Sequence, residues 1–304
     1  MRTLSVIIAA ILLITPQLWA QVTAAASQNA PAPPTCPPSG YSPPFYALFG
    51  QNGGDGQTAT EIASPCIGPE VRKAAEDIGM GRNALLGVKN IITVMFTADG
   101  MVADADGMAT LNQAEFHLAY YVPAMRMFLN GTGASGTPMK EIRVFADEYA
   151  WNEAEEGRGA TPAMNTLNDR MPLLKLTPFG ALWSVIDAEG HTTVTTVNGR
   201  TVLTGTSPYD GIEVSVTLED QHNTLTSYTE ADTMSLPVEV TATVNGHVYG
   251  ATFADYRDTW ESEYWVVFPS QITWTLDGQP LADLTVTAFK SNPYVVFPVP
   301  DVVR

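Results

Sequence analysis

The residue types that most often bind metals or carry out catalysis are scattered along this chain. Its four histidines are His117, His191, His222 and His247. None of them has a second histidine within five residues, so the close ligand spacing of a zinc site is absent. The sequence also contains no Gly-x-Ser-x-Gly motif for a nucleophilic serine. We therefore expect no catalytic residue, no metal site and no cofactor, and we predict that the chain is not an enzyme.

Residues 99–113 can be compared with a calcium-binding loop, because Gly107 follows three aspartates, Asp99, Asp104 and Asp106. In an EF-hand loop the glycine occupies the sixth position, and oxygen ligands occupy the first and the twelfth. That alignment places Val102 first and Gln113 twelfth, and neither residue supplies the carboxylate that these positions need. The pattern favours a solvated turn over a calcium site.

Glu153, Glu155 and Glu156 form an acidic cluster beside Gly157. Paired carboxylates can serve as a general acid and a general base. Three carboxylates on a glycine-flanked loop, however, are more typical of a solvated face. We therefore expect these side chains to face solvent.

The apolar stretch from 161 to 187 carries the strongest functional pattern. Its hydrophobic residues recur at spacings of three and four, interrupted by Pro172 and Pro178, which predicts two short helices or one kinked helix. The apolar face either fills the core or lines a cavity for an acyl chain, and the sequence leaves both alternatives open. The candidate ligand-binding residues are Leu176, Phe179, Leu182, Trp183 and Ile186.

Aromatic residues are also dense between 253 and 274. Trp260 and Trp265 flank Glu261-Ser-Glu263, which we interpret as the tip of a hairpin. An exposed aromatic residue at such a tip often marks a contact surface. Trp260 and Trp265 are therefore candidates for an interaction surface, whereas Tyr256 and Trp274 are expected to pack in the sheet.

Most of the chain from residue 91 onward has the pattern of β-strands. Asn198-Gly199, Asn245-Gly246 and Asp277-Gly278 each separate two extended runs, and these dipeptides accept the positive φ of a tight hairpin. About ten strands with two helical patches predict an α+β fold, with a large antiparallel sheet rolled around helices. The extended runs are 91–97, 113–121, 125–129, 140–151, 192–197, 200–206, 211–219, 224–230, 236–245, 248–257, 264–276 and 281–289.

The N-terminus has the pattern of a secretory signal peptide. Met1-Arg2 supplies a positive start, Leu4 to Ile14 is apolar apart from Ser5, and Ala20 offers a small residue for cleavage. We therefore predict a signal peptide over 1–20 and a periplasmic or secreted protein. The apolar run is too short to span a bilayer, so we expect no stable membrane anchor.

Residues 21–66 are rich in Pro, Gly and Ala, which predicts a flexible arm before a folded domain over 67–304. Cys36 and Cys66 are the two cysteines, and in an oxidising compartment such a pair most often forms a disulfide. The formal net charge is −17. Phosphate backbones and anionic membrane surfaces would be repelled by it, so we expect no nucleic-acid partner.

Several segments after Leu85 match a known family in their order and spacing. They are Asp147-Glu-Tyr-Ala-Trp-Asn152, Leu176-Thr-Pro-Phe-Gly-Ala-Leu182, Ala254-Asp-Tyr-Arg-Asp258, Phe268-Pro269 with Ile272, Leu284-Thr-Val-Thr287, Asn292 and Val302-Val303-Arg304. With these segments the chain resembles the N-terminal domain of exported bacterial proteins that also carry a metallo-β-lactamase-fold hydrolase domain. That N-terminal domain is similar to the lipoprotein carriers of the LolA and LolB type.

The resemblance implies an incomplete β-barrel whose concave face holds helices and apolar side chains. It does not imply hydrolysis, because the HxHxDH cluster of the hydrolase is absent from this sequence. We therefore predict an exported, non-catalytic domain, an open half β-barrel around one or two helices, that binds a lipid or acyl group in its concave face. The alternative is a protein-interaction module of the cell envelope with a fully packed core. A cavity at Phe179 and Trp183 favours the first hypothesis, and a solid core with an exposed aromatic tip favours the second.

Overall fold

Thirteen β-strands form one antiparallel sheet in the computed structural model, which describes residues 91–186, 192–207, 210–221, 234–261 and 263–304. The strands are β1 (Thr93–Asp104), β2 (Gly107–Ala119), β3 (Ala124–Thr132), β4 (Pro138–Ala146), β5 (Tyr149–Glu153), β6 (Thr161–Pro162), β7 (Thr193–Val197), β8 (Arg200–Thr206), β9 (Glu213–Gln221), β10 (Met234–Val244), β11 (His247–Trp260), β12 (Glu263–Leu276) and β13 (Gln279–Ser291).

The sheet consists of two meanders that are joined at their outer strands. Strands β1 to β6 pair in sequence, strands β7 to β13 pair in sequence, and β1 pairs with β13. Strands β6 and β7 are left at the two edges of the sheet. The curved sheet is therefore an open barrel rather than a closed one.

Two short helices lie between β6 and β7 in the chain and pack on the concave face of the sheet. A 3-10 turn (Met164–Thr166) leads into α1 (Leu167–Lys175), and α2 (Pro178–Ile186) follows directly. Thr177 caps α2, because its Oγ1 accepts a hydrogen bond from Gly180 N at 3.2 Å, and Pro178 occupies the first helical position. We call α1 and α2 together the helix layer. The predicted α+β open barrel around helices is confirmed.

The three Asx-Gly hairpins are confirmed as well. Asn198-Gly199, Asn245-Gly246 and Asp277-Gly278 each have positive φ at both residues, between 49° and 84°. This is the backbone that a two-residue turn needs to match the twist of its strands. Each dipeptide joins two strands that pair directly, β7 with β8, β10 with β11 and β12 with β13.

Two boundaries predicted from the sequence differ in the structure. The first extended run, predicted over 91–97, does not end there, because β1 runs on to Asp104 through a β-bulge between Ala98 and Gly100. The run 140–151 is not one strand, since Asp147 adopts φ 54° and turns the chain between β4 and β5. At both places an aspartate lies where the chain departs from regular strand geometry. Whether the departure is a bulge within a strand or a turn between two strands depends on how the neighbouring strands pair.

The last residues cross the opposite, outer face of the sheet. After β13, residues 293–304 pack on a small apolar cluster formed by β3, β4 and β5. Arg126 Nη1 donates a hydrogen bond to Val296 O at 3.2 Å and fixes the middle of this stretch. We call residues 293–304 the C-terminal segment.

Several predictions fall on residues that the structure does not describe. They are the signal peptide 1–20, the arm 21–66, the disulfide between Cys36 and Cys66, and the strand 224–230. These remain predictions. Among the helices that are described, none combines the length and the apolar character needed to cross a membrane.

Candidate functional site

The apolar residues of the helix layer are buried against the concave face of the sheet. Leu176, Phe179 and Leu182 have no exposed surface, and Trp183 is 6 % exposed. The fifth candidate, Ile186, ends α2, and its side chain lies outside the described part of the structure. The structure therefore brings four of the predicted ligand-binding residues together in one interior layer.

Aromatic rings from the sheet continue this layer beneath the helices. Phe268 of β12 stacks on Phe289 of β13 with 4.3 Å between ring centroids, and Phe96 of β1 stacks on Phe116 of β2 at 4.4 Å. Phe179 of α2 lies almost parallel to Phe268 with centroids 6.3 Å apart. A band of rings therefore crosses the centre of the sheet, and the helix layer rests on it.

A few polar side chains of the sheet bind the backbone of the helix layer. Trp274 Nε1 donates to Leu176 O at 2.8 Å, and Trp274 is 2 % exposed, as expected for a residue that packs in the sheet. The Tyr120 hydroxyl lies 3.2 Å from Thr177 Oγ1. Burial raises the pKa of Tyr120, so its hydroxyl stays protonated at neutral pH.

At the start of α1, Arg170 ties the helix to strands β4 and β5. Its Nη1 donates to Val144 O at 2.9 Å and to Trp151 O at 2.6 Å, and its Nη2 donates to Asn152 Oδ1 at 2.6 Å. Burial lowers the pKa of the guanidinium to about 10, with a smaller contribution from the nearby charge of Arg143. The guanidinium nevertheless remains charged at neutral pH.

At the end of α1, Lys175 forms a buried ion pair. Its Nζ lies 3.0 Å from Asp210 Oδ2 and donates to Ser207 Oγ at 3.2 Å. The two side chains of the pair are 5 % and 10 % exposed. Burial lowers the pKa of Lys175, and the Asp210 carboxylate opposes that shift.

Among the described residues, the apolar side chains of the helix layer and the sheet pack against one another. A cavity of about 10 Å³ lies at the edge of the layer, beside Lys175 and Trp183. That cavity has about the volume of one water probe, so it holds no acyl chain. Gly180 makes the close packing of α1 and α2 achievable, because a Cβ there would lie 1.9 Å from Leu174 O.

The prediction that Trp260 is an exposed aromatic residue at the hairpin tip is wrong. The tip itself is present, since β11 ends at Trp260 and β12 begins at Glu263. Trp260 is only 4 % exposed, because its ring faces the interior beside Phe289, with 6.1 Å between centroids. Trp265 belongs to β12, and its side chain lies outside the described part of the structure.

The expectation that all three clustered glutamates face solvent is wrong for Glu153. Its carboxylate accepts hydrogen bonds from Arg126 Nε at 3.1 Å, Trp151 Nε1 at 2.8 Å and Gly157 N at 2.8 Å. Glu155 and Glu156 are exposed. Glu153 ends β5 with its side chain on the outer face, under the C-terminal segment, and its partner Arg126 lies 27 residues away in the chain.

The Asp104 carboxylate organises the turn between β1 and β2. Asp104 Oδ1 accepts a hydrogen bond from Asp106 N at 2.8 Å, and Oδ2 accepts one from Ala134 N at 2.9 Å. These backbone donors lower the pKa of Asp104. Within the described residues, no group of three or more His, Cys, Asp or Glu side chains is arranged to hold a metal ion.

Sequence reasoning missed Lys175 and Asp210. The available signal was a single lysine in the otherwise apolar run Leu173-Leu174-Lys175-Leu176. A lysine is rarely buried unless it is paired, so its place in this run indicates either an exposed edge or an ion pair. Only the packed structure distinguishes the two.

Comparisons with known proteins identify distant similarities in structure. No family model matches the sequence, and no curated protein matches it either. Among solved structures, the LolA superfamily protein NE2245 from Nitrosomonas europaea is 10 % identical, with 74 % of this chain and 94 % of that chain covered at a TM-score of 0.38. LprF from Mycobacterium bovis is 9 % identical, with 78 % and 99 % covered at a TM-score of 0.28.

The resemblance to carriers of the LolA and LolB type stays a prediction. The association with a metallo-β-lactamase-fold hydrolase stays a prediction. Both likenesses are distant, and the functional conclusion below is drawn from the geometry of the site.

Proposed function

We propose that this protein is a non-catalytic, exported carrier that binds one apolar chain, a lipid or an acyl group, between its helix layer and the concave face of its sheet. The observation that carries the proposal is how the helix layer is attached. Among the described residues, no backbone hydrogen bond joins α1 or α2 to a strand. The helices can therefore move away without breaking the ladder of the sheet.

Apolar contacts hold α2 at the centre of the helix layer. Phe179 and Leu182 pack without directional bonds, and Trp274 and Tyr120 add single hydrogen bonds. The charged contacts of the layer belong to α1, at Arg170 and Lys175. An acyl chain that replaced the helix side chains on the ring band would restore similar contacts, because dispersion and hydrophobic burial do not depend on orientation. Binding exchanges one apolar surface for another, and the open edges at β6 and β7 leave the sheet free to widen.

The energetics are sufficient for a stable complex. Burying about ten methylene groups contributes about 8 kcal/mol at about 0.8 kcal/mol per group, which is the free energy of a micromolar complex. Displacing the helix layer reduces this figure, so longer chains are expected to bind more tightly than short ones. Chain length is therefore the natural variable in a binding test.

The proposal is tested by native mass spectrometry of protein prepared by export, followed by organic extraction of any released lipid. We expect one bound apolar molecule per chain, or uptake of one when lipid is added. Leu182→Ala is expected to bind at least as well as the wild type, because its interior is less filled. Val197→Ala, at an exposed strand position on β7, is the matched control and leaves binding unchanged. A protein that stays empty with fatty acids, acyl esters and phospholipids contradicts the proposal.

A second candidate function is a module that docks another protein of the cell envelope. The buried apolar face of the helix layer favours it, as do three exposed apolar residues along the C-terminal segment, Tyr294, Val296 and Val302. Tyr294 is 92 % exposed. This candidate predicts that Tyr294→Ser weakens capture of an envelope protein and leaves lipid content unaltered. Stoichiometric lipid in the exported protein, with no effect of Tyr294→Ser on partner capture, would exclude it.

A further inference from the structure

Three Asn-Gly dipeptides lie within the described residues, and the fold places them in two kinds of backbone. Asn198-Gly199 and Asn245-Gly246 are the two-residue turns between β7 and β8 and between β10 and β11, with positive φ at all four residues. Asn130-Gly131 lies inside β3, where both residues are in register with β2 and with β4. Because the dipeptide is the same, a difference in its chemistry comes from the fold.

An Asn-Gly dipeptide can deamidate without an enzyme. The glycine nitrogen attacks Cγ of the asparagine, the bond from Cγ to the side-chain nitrogen breaks, and that nitrogen leaves as ammonia with the proton of the glycine N–H. Water then opens the cyclic imide at either of its carbonyls and leaves aspartate or isoaspartate. Glycine favours the attack because no Cβ shields its nitrogen. The reaction therefore needs an unbonded glycine N–H, an unheld asparagine amide and a backbone that can rotate to bring them together.

Both turns meet the first two of these requirements. Asn198, Gly199, Asn245 and Gly246 are exposed. Among the described residues, neither asparagine amide and neither glycine N–H has a hydrogen-bond partner. Beyond the chain neighbours, no described atom lies within 4 Å of the position that a Cβ would take at Gly199 or at Gly246. The glycine nitrogen and the asparagine side chain are therefore free to approach each other in both turns.

The strand position fails the third requirement. Asn130 lies opposite Gln113 of β2 and Lys140 of β4. Gly131 approaches β2 so closely that a Cβ there would lie 1.9 Å from Thr110 O. Imide formation must rotate the Asn130–Gly131 peptide out of its extended conformation, which would break the pairing on both sides. Exposure does not separate the three sites, since Asn130 is exposed as well.

The two turns differ in how easily they open. β7 has 5 residues and lies at the edge of the described sheet, where it pairs with β8. β10 and β11 have 11 and 14 residues and lie inside the sheet. Local opening costs least where a strand is short and few contacts hold it. The turn between β7 and β8 therefore reaches the rotated conformation more often than the turn between β10 and β11.

We propose that Asn198 is a site of deamidation in the folded protein, that Asn245 reacts more slowly, and that β3 protects Asn130. Each event adds one negative charge to a chain whose formal net charge is already −17. The isoaspartate product also inserts a methylene group into the backbone of a two-residue turn, whose geometry sets the register of its strands. At Asn198 this change falls on the hairpin at the open edge of the sheet. The inference does not depend on the proposed carrier function.

The test follows the three sites in one sample of the full chain. The folded protein is incubated at mildly alkaline pH and digested with trypsin, which places Asn130, Asn198 and Asn245 in separate peptides, 127–140, 176–200 and 201–257. Mass spectrometry with fragmentation then measures aspartate and isoaspartate at each site. We expect Asn198 to deamidate at least about tenfold faster than Asn130, because β3 must open locally before Asn130 can react. Equal rates at these two sites, or a faster reaction at Asn130, would overturn the proposal.

The same chain unfolded in urea is the control for intrinsic reactivity. Without the sheet, all three dipeptides have a free glycine N–H and a mobile backbone, so their rates are expected to converge. A sample taken before incubation gives the background that the digestion itself produces. If the ratio measured for the folded protein persisted unchanged in urea, sequence neighbours rather than the fold would cause it, and the protection by β3 would be refuted.

Val194→Ala tests the ranking of the two turns. Val194 of β7 is partly buried against the core, so its truncation is expected to loosen the hairpin and to speed the reaction at Asn198, while the rate at Asn245 stays unchanged. Thr195→Ala, at an exposed position on the same strand, is the matched control and leaves both rates as in the wild type. Circular dichroism confirms that each variant is folded. A folded Val194→Ala protein with an unchanged rate at Asn198, or with an equal increase at Asn245, would contradict the ranking.

Discussion

The two covers of the sheet differ in the balance of apolar and charged contacts that hold them. On the concave face, the helix layer rests on stacked rings, and the polar bonds that hold it are spread along its length and its ends. On the outer face, the C-terminal segment is fixed around a buried centre, where Arg126 contacts Glu153, Val296 and the ring of Phe297. Its first residue is also tied to β1, because Thr93 Oγ1 donates to Pro293 O at 2.8 Å. Apolar contact without direction tolerates displacement, whereas a saturated charged network requires one geometry.

The charged network on the outer face is fully hydrogen-bonded at the Glu153 carboxylate. Arg126 and Glu153 form two hydrogen bonds, at 3.1 Å and 3.2 Å, and their side chains are 3 % and 1 % exposed. Trp151 and Gly157 occupy the remaining sites on the carboxylate. The C-terminal segment is therefore expected to be a fixed part of the fold, and the helix layer the part that can be exchanged for a ligand.

The sharpest test of this contrast is Arg126→Met. It leaves the Glu153 carboxylate buried without its counter-charge, so we expect the free energy of unfolding to fall by about 3–5 kcal/mol. Chemical denaturation measures the loss. The matched control is Arg143→Met on the neighbouring strand β4, which breaks the more exposed pair with Glu141 and is expected to cost about 0–1 kcal/mol. Equal losses in the two variants would show that the outer network has no special role.

The second test acts on the helix layer. Leu182→Ala deletes a fully buried side chain, so we expect a loss of about 2–5 kcal/mol in the absence of lipid. Unlike the loss in Arg126→Met, part of it is expected to be regained when a lipid is added, because the ligand refills the space. Thermal unfolding with and without an acyl ester measures both quantities. The same recovery in Arg126→Met would remove the distinction between the two covers.

The smallest expected effect concerns the cap of α2. Thr177→Val removes the acceptor for Gly180 N and the partner of the Tyr120 hydroxyl, so we expect a loss of about 0.5–2 kcal/mol. Thr195→Val, at an exposed position on β7, is the control and is expected to stay within about 0.5 kcal/mol of the wild type. Because this substitution loosens the helix layer without touching its apolar face, faster lipid uptake should accompany the loss of stability. Unchanged uptake would argue that the helix layer does not move as a unit.

Predictions from the sequence succeeded where the decisive interactions are local. The Asn-Gly and Asp-Gly turns depend on two adjacent residues, and the two short helices are one of the two alternatives that the spacing and the prolines predict. The prediction that Trp260 is exposed failed, because a position beside a hairpin tip does not show which face of the strand the side chain occupies. Its neighbour Phe289 lies 29 residues away on β13, and only the register of β11 with β12 and of β12 with β13 directs the ring inward.

The burial of charged residues was even harder to predict from the sequence. Glu153 and Lys175 look like solvated groups in the sequence, and each is buried against a partner at least 27 residues distant, Arg126 and Asp210. By itself, the sequence determined where most of the strands lie, the three Asx-Gly hairpins, the helical pattern after β6 and the apolar character of its face, because these follow from backbone preference and periodicity. The tertiary structure alone decided which charges are buried together and which sheet residues the helices pack against, because both depend on how segments distant in the chain pack against one another.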